Sequence, residues 1–299
     1  MRVSVIICTI RREEIVSALL ECLHAQTWRD AEVLVVGSSA QPEIDRPATE
    51  TKLRVRFMPA PKGLAPARNV GLRCADGDAV CFLDDDVLLG PDFLEKAVAT
   101  FNDPANADVG GLTGYDTENY PYPMTMRWRF RHWLGITPSL QPGDASPLGR
   151  SVPFSFFQPF SGIRNVKWLP GFCQIFRAEA VRGLYYDEMI VVEDRDFSMQ
   201  VGDKWRLIIR GDLHLRHLRD GEARHPNHVQ TWRASFGLGR SFAKRRQSVT
   251  DWFTIFHVLA GEVLIDLLSL AARPSAVALK LPVWRINGFL SGLASFKHS

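Results

Sequence analysis

The sequence predicts an α/β protein: a mixed, mostly parallel sheet flanked by helices, followed by a helical C-terminal extension. Three observations carry this expectation. Short apolar runs alternate with helix-spaced segments through the first hundred residues, the pattern of βαβ units. Three consecutive aspartates, Asp84-Asp85-Asp86, stand directly after the apolar run Ala79-Val80-Cys81-Phe82-Leu83, and open α/β sheets place their ligands at such strand ends. From about Gly221 the composition shifts to basic and aromatic residues ahead of two long apolar segments.

Taken in order, residues 3–8 form a buried strand, and 13–26 a helix with Ile15, Leu19, Leu20 and Leu23 at helical spacing. A strand over 32–36 precedes a turn-rich stretch, 37–47. A third strand at 53–58, a helix at 65–74, a fourth strand at 79–83 and a helix at 91–101 follow. The regular pattern breaks after Asp108. Residues 115–166 are rich in aromatics and prolines, helical only around 124–134, and long excursions of this kind are usually functional. Apolar patterning resumes at Trp168-Leu169-Pro170-Gly171-Phe172-Cys173. It leads to a helix at 177–183, an acidic helix at about 193–201 and a strand at 206–209. The expected organisation is an α/β domain over 1–220 and a helical extension over 221–299.

Composition narrows the function classes. The chain has 299 residues, 46% hydrophobic and 23% charged, enough to bury a full core. A net charge of +3 without a recognition motif argues against nucleic acid as a partner. Five scattered cysteines without a Cys-x-x-Cys pair argue against structural zinc and for a reducing, cytoplasmic compartment. The N-terminal apolar run stops before Arg11-Arg12-Glu13-Glu14 and reads as a strand, not a signal segment. No uninterrupted run reaches the ~20 apolar residues of a membrane span; the nearest, 252–272, carries His257, Glu262 and Asp266.

Crowding three carboxylates at a strand end is costly unless a cation neutralises them. The triplet alone fits equally a divalent-metal site and a solvated acidic turn ahead of Gly90-Pro91-Asp92. A second acidic cluster, Glu193-Asp194-Arg195-Asp196, lies about 110 residues further on. Alone it suits a helix N-terminus; beside a metal site it supplies a general base.

The order of these pieces resembles the family 2 glycosyltransferases of GT-A fold. The motifs are Val3-Ser4-Val5-Ile6-Ile7-Cys8-Thr9, then Gly63 with Ala67-Arg68-Asn69 and Gly71. Gly77-Asp78 with Phe82-Leu83-Asp84-Asp85-Asp86 comes next, then Tyr186-Asp187-Glu188 with Glu193-Asp194-Arg195-Asp196-Phe197. The resemblance covers residues 1 to about 220. It implies an inverting transfer of a sugar from a nucleotide-diphosphate donor to a saccharide or lipid-linked acceptor, aided by Mn²⁺ or Mg²⁺. By position, Asp84 would face the nucleoside and ribose, with Asp85 beside it, and Asp86 would bind the metal. Asp194 would be the general base. Thr9 and Arg68 would line the nucleotide pocket. His217 would face metal or phosphate, with His214 a rival one register away. Gly171, Phe172 and Glu193 would stand on the acceptor side.

One departure concerns the donor. Where the family commonly carries aspartates after the second strand, this chain has Gly37-Ser38-Ser39. The Ser38 hydroxyl can donate or accept and so discriminates bases less than a carboxylate. A UDP-sugar is the first expectation, with GDP- and dTDP-sugars open. Residues 115–166 would form either an acceptor site or a satellite core. The basic tract 233–246 ahead of an apolar helix suits peripheral contact, through 233–299, with the inner face of the cytoplasmic membrane; it equally suits a solvated helix face. Two other readings are a sugar-nucleotide nucleotidyltransferase and a catalytically silent nucleotide-sugar-binding protein. The first is opposed by the absence of glycine in Cys8-Thr9-Ile10-Arg11-Arg12, the second by the presence of both Asp86 and Asp194.

Overall fold

The apolar run near the chain start forms β1 (Val3–Thr9), six of whose seven residues are buried. Strands β2 (Ala31–Gly37) and β5 (Ala79–Asp84) flank it in parallel, and helices α1 (Glu13–His24) and α2 (Leu64–Cys74) supply the intervening crossovers. Strands covered on both faces need near-continuous apolar sequence, and β1, β2 and β5 have it apart from buried Ser4 and Glu32, which hydrogen-bond to each other at 2.6 Å. This is a computed structural model, and it describes residues 1–9, 13–37, 45–47, 53–146, 148, 151–190, 192–218, 227–245, 248–272 and 274–296.

Among the described residues, ten strands form one sheet. Beyond those three, they are β3 (Asp45–Pro47), β4 (Arg54–Pro59), β6 (Val87–Leu89), β7 (Val109–Asp116), β8 (Ile163–Val166), β9 (Cys173–Arg177) and β10 (Arg206–His217). The order is β3-β4-β2-β1-β5-β9-β7-β10-β6, with β8 on β10. The long strands β4, β2, β1, β5, β7 and β10 run one way, and β9 is inserted antiparallel between β5 and β7. This is the mixed, mostly parallel sheet expected from the sequence. Helix α3 (Phe93–Asn102) and helix α5 (Glu193–Gly202) complete the layers. One apolar core gathers Val5, Ile7, Leu19, Val33 and Phe93; the other gathers Ile6, Phe82, Phe176, Tyr186 and Phe197.

Four local expectations are corrected. The break after Asp108 is in fact β7, buried along all eight residues. Its glycines hid it: a Cβ at Gly110 would lie 2.4 Å from the Trp205 Cβ, and one at Gly114 2.3 Å from the Leu213 carbonyl oxygen. Close approach removed the side chains that signal a strand. The helix expected at 177–183 is the end of β9 followed by a 3₁₀ turn, Glu179–Val181. The strand expected to end at 209 continues to His217 through an irregularity between Arg210 and His214. The turn-rich stretch 37–47 contains the short edge strand β3, paired antiparallel to β4.

Two compact units emerge: residues 1–122, 154–188 and 193–220 in one, and 123–153, 189–192 and 221–299 in the other. The excursion 115–166 is therefore divided between them. Tyr115, Tyr120, Phe154, Phe157 and Phe160 pack in the sheet's own core, with edge-to-face contacts such as Phe154 against Trp168 at 5.0 Å. The second unit is helical, with α4 (Met126–Trp133), α6 (Asn227–Arg245), α7 (Val249–Ala272) and α8 (Ala276–Ser295). Its core holds Ile136, Leu238, Phe242, Ile255, Val258 and Phe289.

Candidate active site

Parallel strands deliver the site residues to one sheet edge. The register pairs Cys8 of β1 with Asp84 of β5 and Thr9 with Gly37 of β2. The chain turns at Asp85-Asp86 before β6, so the three carboxylates separate. Asp85, buried, accepts a hydrogen bond from Thr9 Oγ1 at 2.7 Å. Asp84 and Asp86 gather with His217, each offering a ligand atom within 4.8 Å of the others. His217 Nε2 lies 3.3 Å from Asp86 Oδ1, and its ring lies against Phe172 with centroids 4.8 Å apart. Its Nδ1 is buried without a hydrogen-bond partner among the described residues. Two carboxylates and an imidazole held in this way are an oxygen-and-nitrogen donor set that suits Mn²⁺ or Mg²⁺. His214, the rival, is exposed.

Arg68 on α2 is buried to 2% and joins the two acidic clusters. Its Nη1 donates to Glu193 Oε1 at 2.9 Å; its Nη2 donates to Asp84 Oδ1 at 3.1 Å and to the Gly171 carbonyl at 2.8 Å. The guanidinium also lies 5.3 Å from the Tyr186 ring centroid. The structure thus holds Arg68 as a bridge between carboxylates. Burial pushes the Asp84 carboxyl up to about 6, against the pull of Arg68 and His217. Burial and the neighbouring Asp194 carboxylate push Glu193 up to about 7, and Arg68 only partly offsets them. Burial also drives the Cys8 thiol up to about 12, which leaves it a protonated core group.

Asp194 stands in the first turn of α5, where free helix amides favour a carboxylate. Its Oδ2 accepts from the Gly171 amide at 2.8 Å, and a Cβ on Gly171 would meet that same oxygen at 2.8 Å. Gly171 therefore seats Asp194 and has no space for a side chain. Phe172 contributes its carbonyl to the Asp84 amide at 3.0 Å and its ring to His217. Glu193, expected on the acceptor side, turns inward to Arg68 and is 7% exposed. Asp84, expected at the nucleoside, is committed to Arg68 and to the cluster with Asp86 and His217. Ser38 lies outside the described residues.

Several supporting residues escaped sequence reasoning. Asp116, fully buried at the end of β7, accepts from the His217 amide at 3.3 Å and from Asn119 Nδ2 at 2.7 Å. Asn119 Nδ2 also donates to the His217 carbonyl at 2.7 Å, so the pair clamps the backbone of the imidazole. Gln174, fully buried in β9, donates to the Asp194 carbonyl at 3.0 Å and accepts from the Tyr186 hydroxyl at 2.9 Å. Asn69 and Tyr186, both in the motifs read from the sequence, meet here: Asn69 exchanges hydrogen bonds with the Tyr186 backbone at 2.8 and 2.9 Å. A glutamine inside an apolar strand was the one available signal for Gln174.

Known proteins share parts of this sequence and this fold. Over 118 residues the chain is 31% identical to a glucosyl-dolichyl phosphate glucuronosyltransferase of Haloferax volcanii, covering 37% of this chain and 38% of that one. Over 130 residues it is 34% identical to a validoxylamine A glucosyltransferase of Streptomyces hygroscopicus subsp. limoneus, covering 40% and 28%. The chain thus spans less than two fifths of the length of either curated relative. Its fold is similar to that of the mannosyltransferase PcManGT from Pyrobaculum calidifontis, at TM-score 0.54 and 19% identity over 98% of this chain and 86% of that one. It is also similar to S. aureus TarS 1-349, at TM-score 0.60 and 15% identity over 98% and 81%. The family model described as glycosyl transferase family 2 matches residues 4–184, more than half the chain. With the sheet order and the aspartate–histidine cluster, that match makes this chain a member of glycosyl transferase family 2.

Proposed function

We propose that the protein transfers a sugar from a nucleotide-diphosphate donor to a saccharide or lipid-linked saccharide, with inversion at the anomeric carbon and with Asp194 as general base. The observation that carries this reading is the link through Gly171. Its amide holds Asp194 and its carbonyl accepts from Arg68, which in turn binds Asp84 beside Asp86 and His217. The base and the Asp84 arm of the cation-binding cluster are thereby tied to one residue. Such a transfer needs both groups.

A divalent cation on Asp84, Asp86 and His217 would neutralise charge on the departing diphosphate. Asp194 has one oxygen occupied by the Gly171 amide, which leaves the other to accept the acceptor hydroxyl's proton. No covalent sugar–enzyme bond is required. Thr9 and Asp85 would border the nucleotide, and the Phe172 ring holds the imidazole in place. Arg68 and Glu193 act as supports, not as contacts to substrate.

The relatives differ in donor: the PcManGT structure holds GDP-Man and Mn²⁺, and a TarS structure holds UDP-GlcNAc. We favour a UDP-sugar here. Peripheral membrane contact through residues 233–299, and a catalytic region over 1–220, complete the reading. A thermal-shift series of UDP, GDP and dTDP with Mn²⁺ tests the donor. Stabilisation by UDP that disappears on chelation is expected; indifference to every nucleoside diphosphate would sink the proposal.

A further inference from the structure

Helix α7 is apolar on both faces and buries its carboxylates. Its buried stripe, Ile255, Val258, Gly261, Glu262, Ile265 and Asp266, includes two carboxylates at 0% and 1% exposure. Its outer face carries Phe253, Phe256, Leu264, Leu267 and Leu268, with Phe253 at 72%. Helix α8 repeats the arrangement: Arg285 is buried beside Gly288, Phe289 and Gly292, while Leu279, Val283, Ile286 and Leu290 face outward. Helices on water-soluble domains arrange these residue classes the other way.

The arrangement is held by ion pairs. Arg131 on α4 binds Glu262 through two bonds of 3.0 and 3.1 Å, and Arg285 binds Asp266 through two of 2.7 and 3.1 Å. Arg285 also lies 3.5 Å from Glu262, so the three helices are cross-braced through their charges. Turning α7 to hide its leucines would carry both carboxylates out to water and leave Arg285, 6% exposed, buried without a counter-charge. Helices α6 and α8 close on glycine: a Cβ at Gly239 would lie 2.1 Å from the Phe289 carbonyl oxygen, and one at Gly292 2.0 Å from that of Phe236. Small residues at helix contacts are the packing mode of helices in apolar surroundings.

Charge supplies the identity of what lies against this face. The chain's +3 is unevenly divided: the helical unit has 14 Lys and Arg against 5 Asp and Glu, net +9, and the remainder 22 against 28, net −6. Two of those five acids, Glu262 and Asp266, are buried and neutralised by two of the cations, Arg131 and Arg285, so the net +9 rests on the other residues. Helix α4 exposes Arg129 and His132 beside Met126 at 77% and Trp133 at 76%, and α8 exposes Lys280, while Arg127 reaches inward to Asp266 at 3.4 Å. By contrast, Arg240 of the basic tract 233–246 is half-buried and donates to the Ser295 carbonyl at 2.9 Å.

The geometry points to an anionic lipid surface as the occupant, with the outer faces of α7 and α8 in the acyl boundary and the α4 bases and Lys280 at the headgroups. Basic and aromatic side chains bordering an apolar helix face are the composition of an interfacial segment. Helix α7 has the length and composition of a span. One stripe of it, however, is committed to the ion pairs, which leaves a single face for lipid. The inference rests on the peripheral membrane contact proposed above and names the face that makes it; α4 was not part of that expectation.

Flotation of the full chain with vesicles tests it. Wild type should float with phosphatidylglycerol–phosphatidylcholine vesicles and not with phosphatidylcholine alone. L267D/L290D and R129E/K280E should each lower the bound fraction about tenfold or more, with the Mn²⁺–nucleotide thermal shift unchanged as the check on folding. If wild type does not float, membrane contact itself is overturned. If wild type and L267D/L290D float equally, membrane contact stands and this face is not the one that makes it. A lipid-free dimer that L267D/L290D dissociates, with no vesicle binding, would assign the face to a second copy and overturn the lipid occupant.

Discussion

The amide of Gly171 donates to Asp194 Oδ2 at 2.8 Å, and the space for any side chain on Gly171 is already filled by that carboxylate. One glycine thus fixes Asp194, the proposed base, while its carbonyl accepts from the arginine that binds Asp84. Replacement by alanine should move Asp194 by a few tenths of an ångström or more. The expected outcome for Gly171→Ala is a fall in kcat of about 10²-fold from misplacement alone, with nucleotide binding close to wild type. Unchanged kcat would separate Gly171 from the positioning of the base.

Asp194→Asn keeps the shape and the bond from the Gly171 amide but cannot take a proton. Turnover should drop by about 10²–10⁴-fold, while calorimetric titration with the nucleoside diphosphate and Mn²⁺ stays near wild type. Near-normal transfer by this variant would remove Asp194 as the base.

Asp86→Ala takes one carboxylate from the cluster with Asp84 and His217. The Mn²⁺-dependent rise in melting temperature with nucleotide should disappear. Asn119→Ala should weaken the same response more mildly, because Asn119 holds the His217 carbonyl at 2.7 Å without belonging to the cluster. An undiminished Mn²⁺ response in Asp86→Ala would refute the metal role.

Arg68→Met leaves Glu193 and Asp84 without their buried cation. Breaking a buried pair in this way costs about 3–5 kcal/mol, and the urea midpoint of the sheet unit should fall accordingly. A midpoint equal to wild type would show that the bridge adds nothing to stability.

Glu193 supplies a pH dependence. Its folded value near 7 lies above the ordinary 4.5, so the folded protein holds this proton more tightly than the unfolded chain. The stability from this group is present in full below about 4.5 and is lost as pH rises through about 7. Glu193→Gln should flatten that part of the melting-temperature profile, and a profile parallel to wild type over the same window would count against the assignment.

Much of the site was legible because its residues are chemically conspicuous. Three carboxylates after a buried run, and Glu193-Asp194 at a helix start, announce themselves in one dimension. His217 was harder, since its strand was expected to stop at 209, yet the structure carries β10 on to the cluster. Asp116, Asn119 and Gln174 were not read, because a residue that acts through another side chain's backbone leaves no local pattern. Strand β7 was missed for the opposite reason: glycine, chosen for close approach to Trp205 and Leu213, erases the hydrophobic signal.

The sequence by itself determined the α/β architecture, the family's motifs and the helical ending, because periodicity and strand-end chemistry are properties of neighbours along the chain. Only the tertiary structure decided what each charge does. It divided the aspartate triplet between Thr9 and the His217 cluster, turned Glu193 inward onto Arg68, and set Glu262 and Asp266 against Arg131 and Arg285 so that the leucines of α7 face outward. A carboxylate's role depends on which cation and how much water it meets, and those are set by residues as much as 139 positions away, as Arg127 is from Asp266.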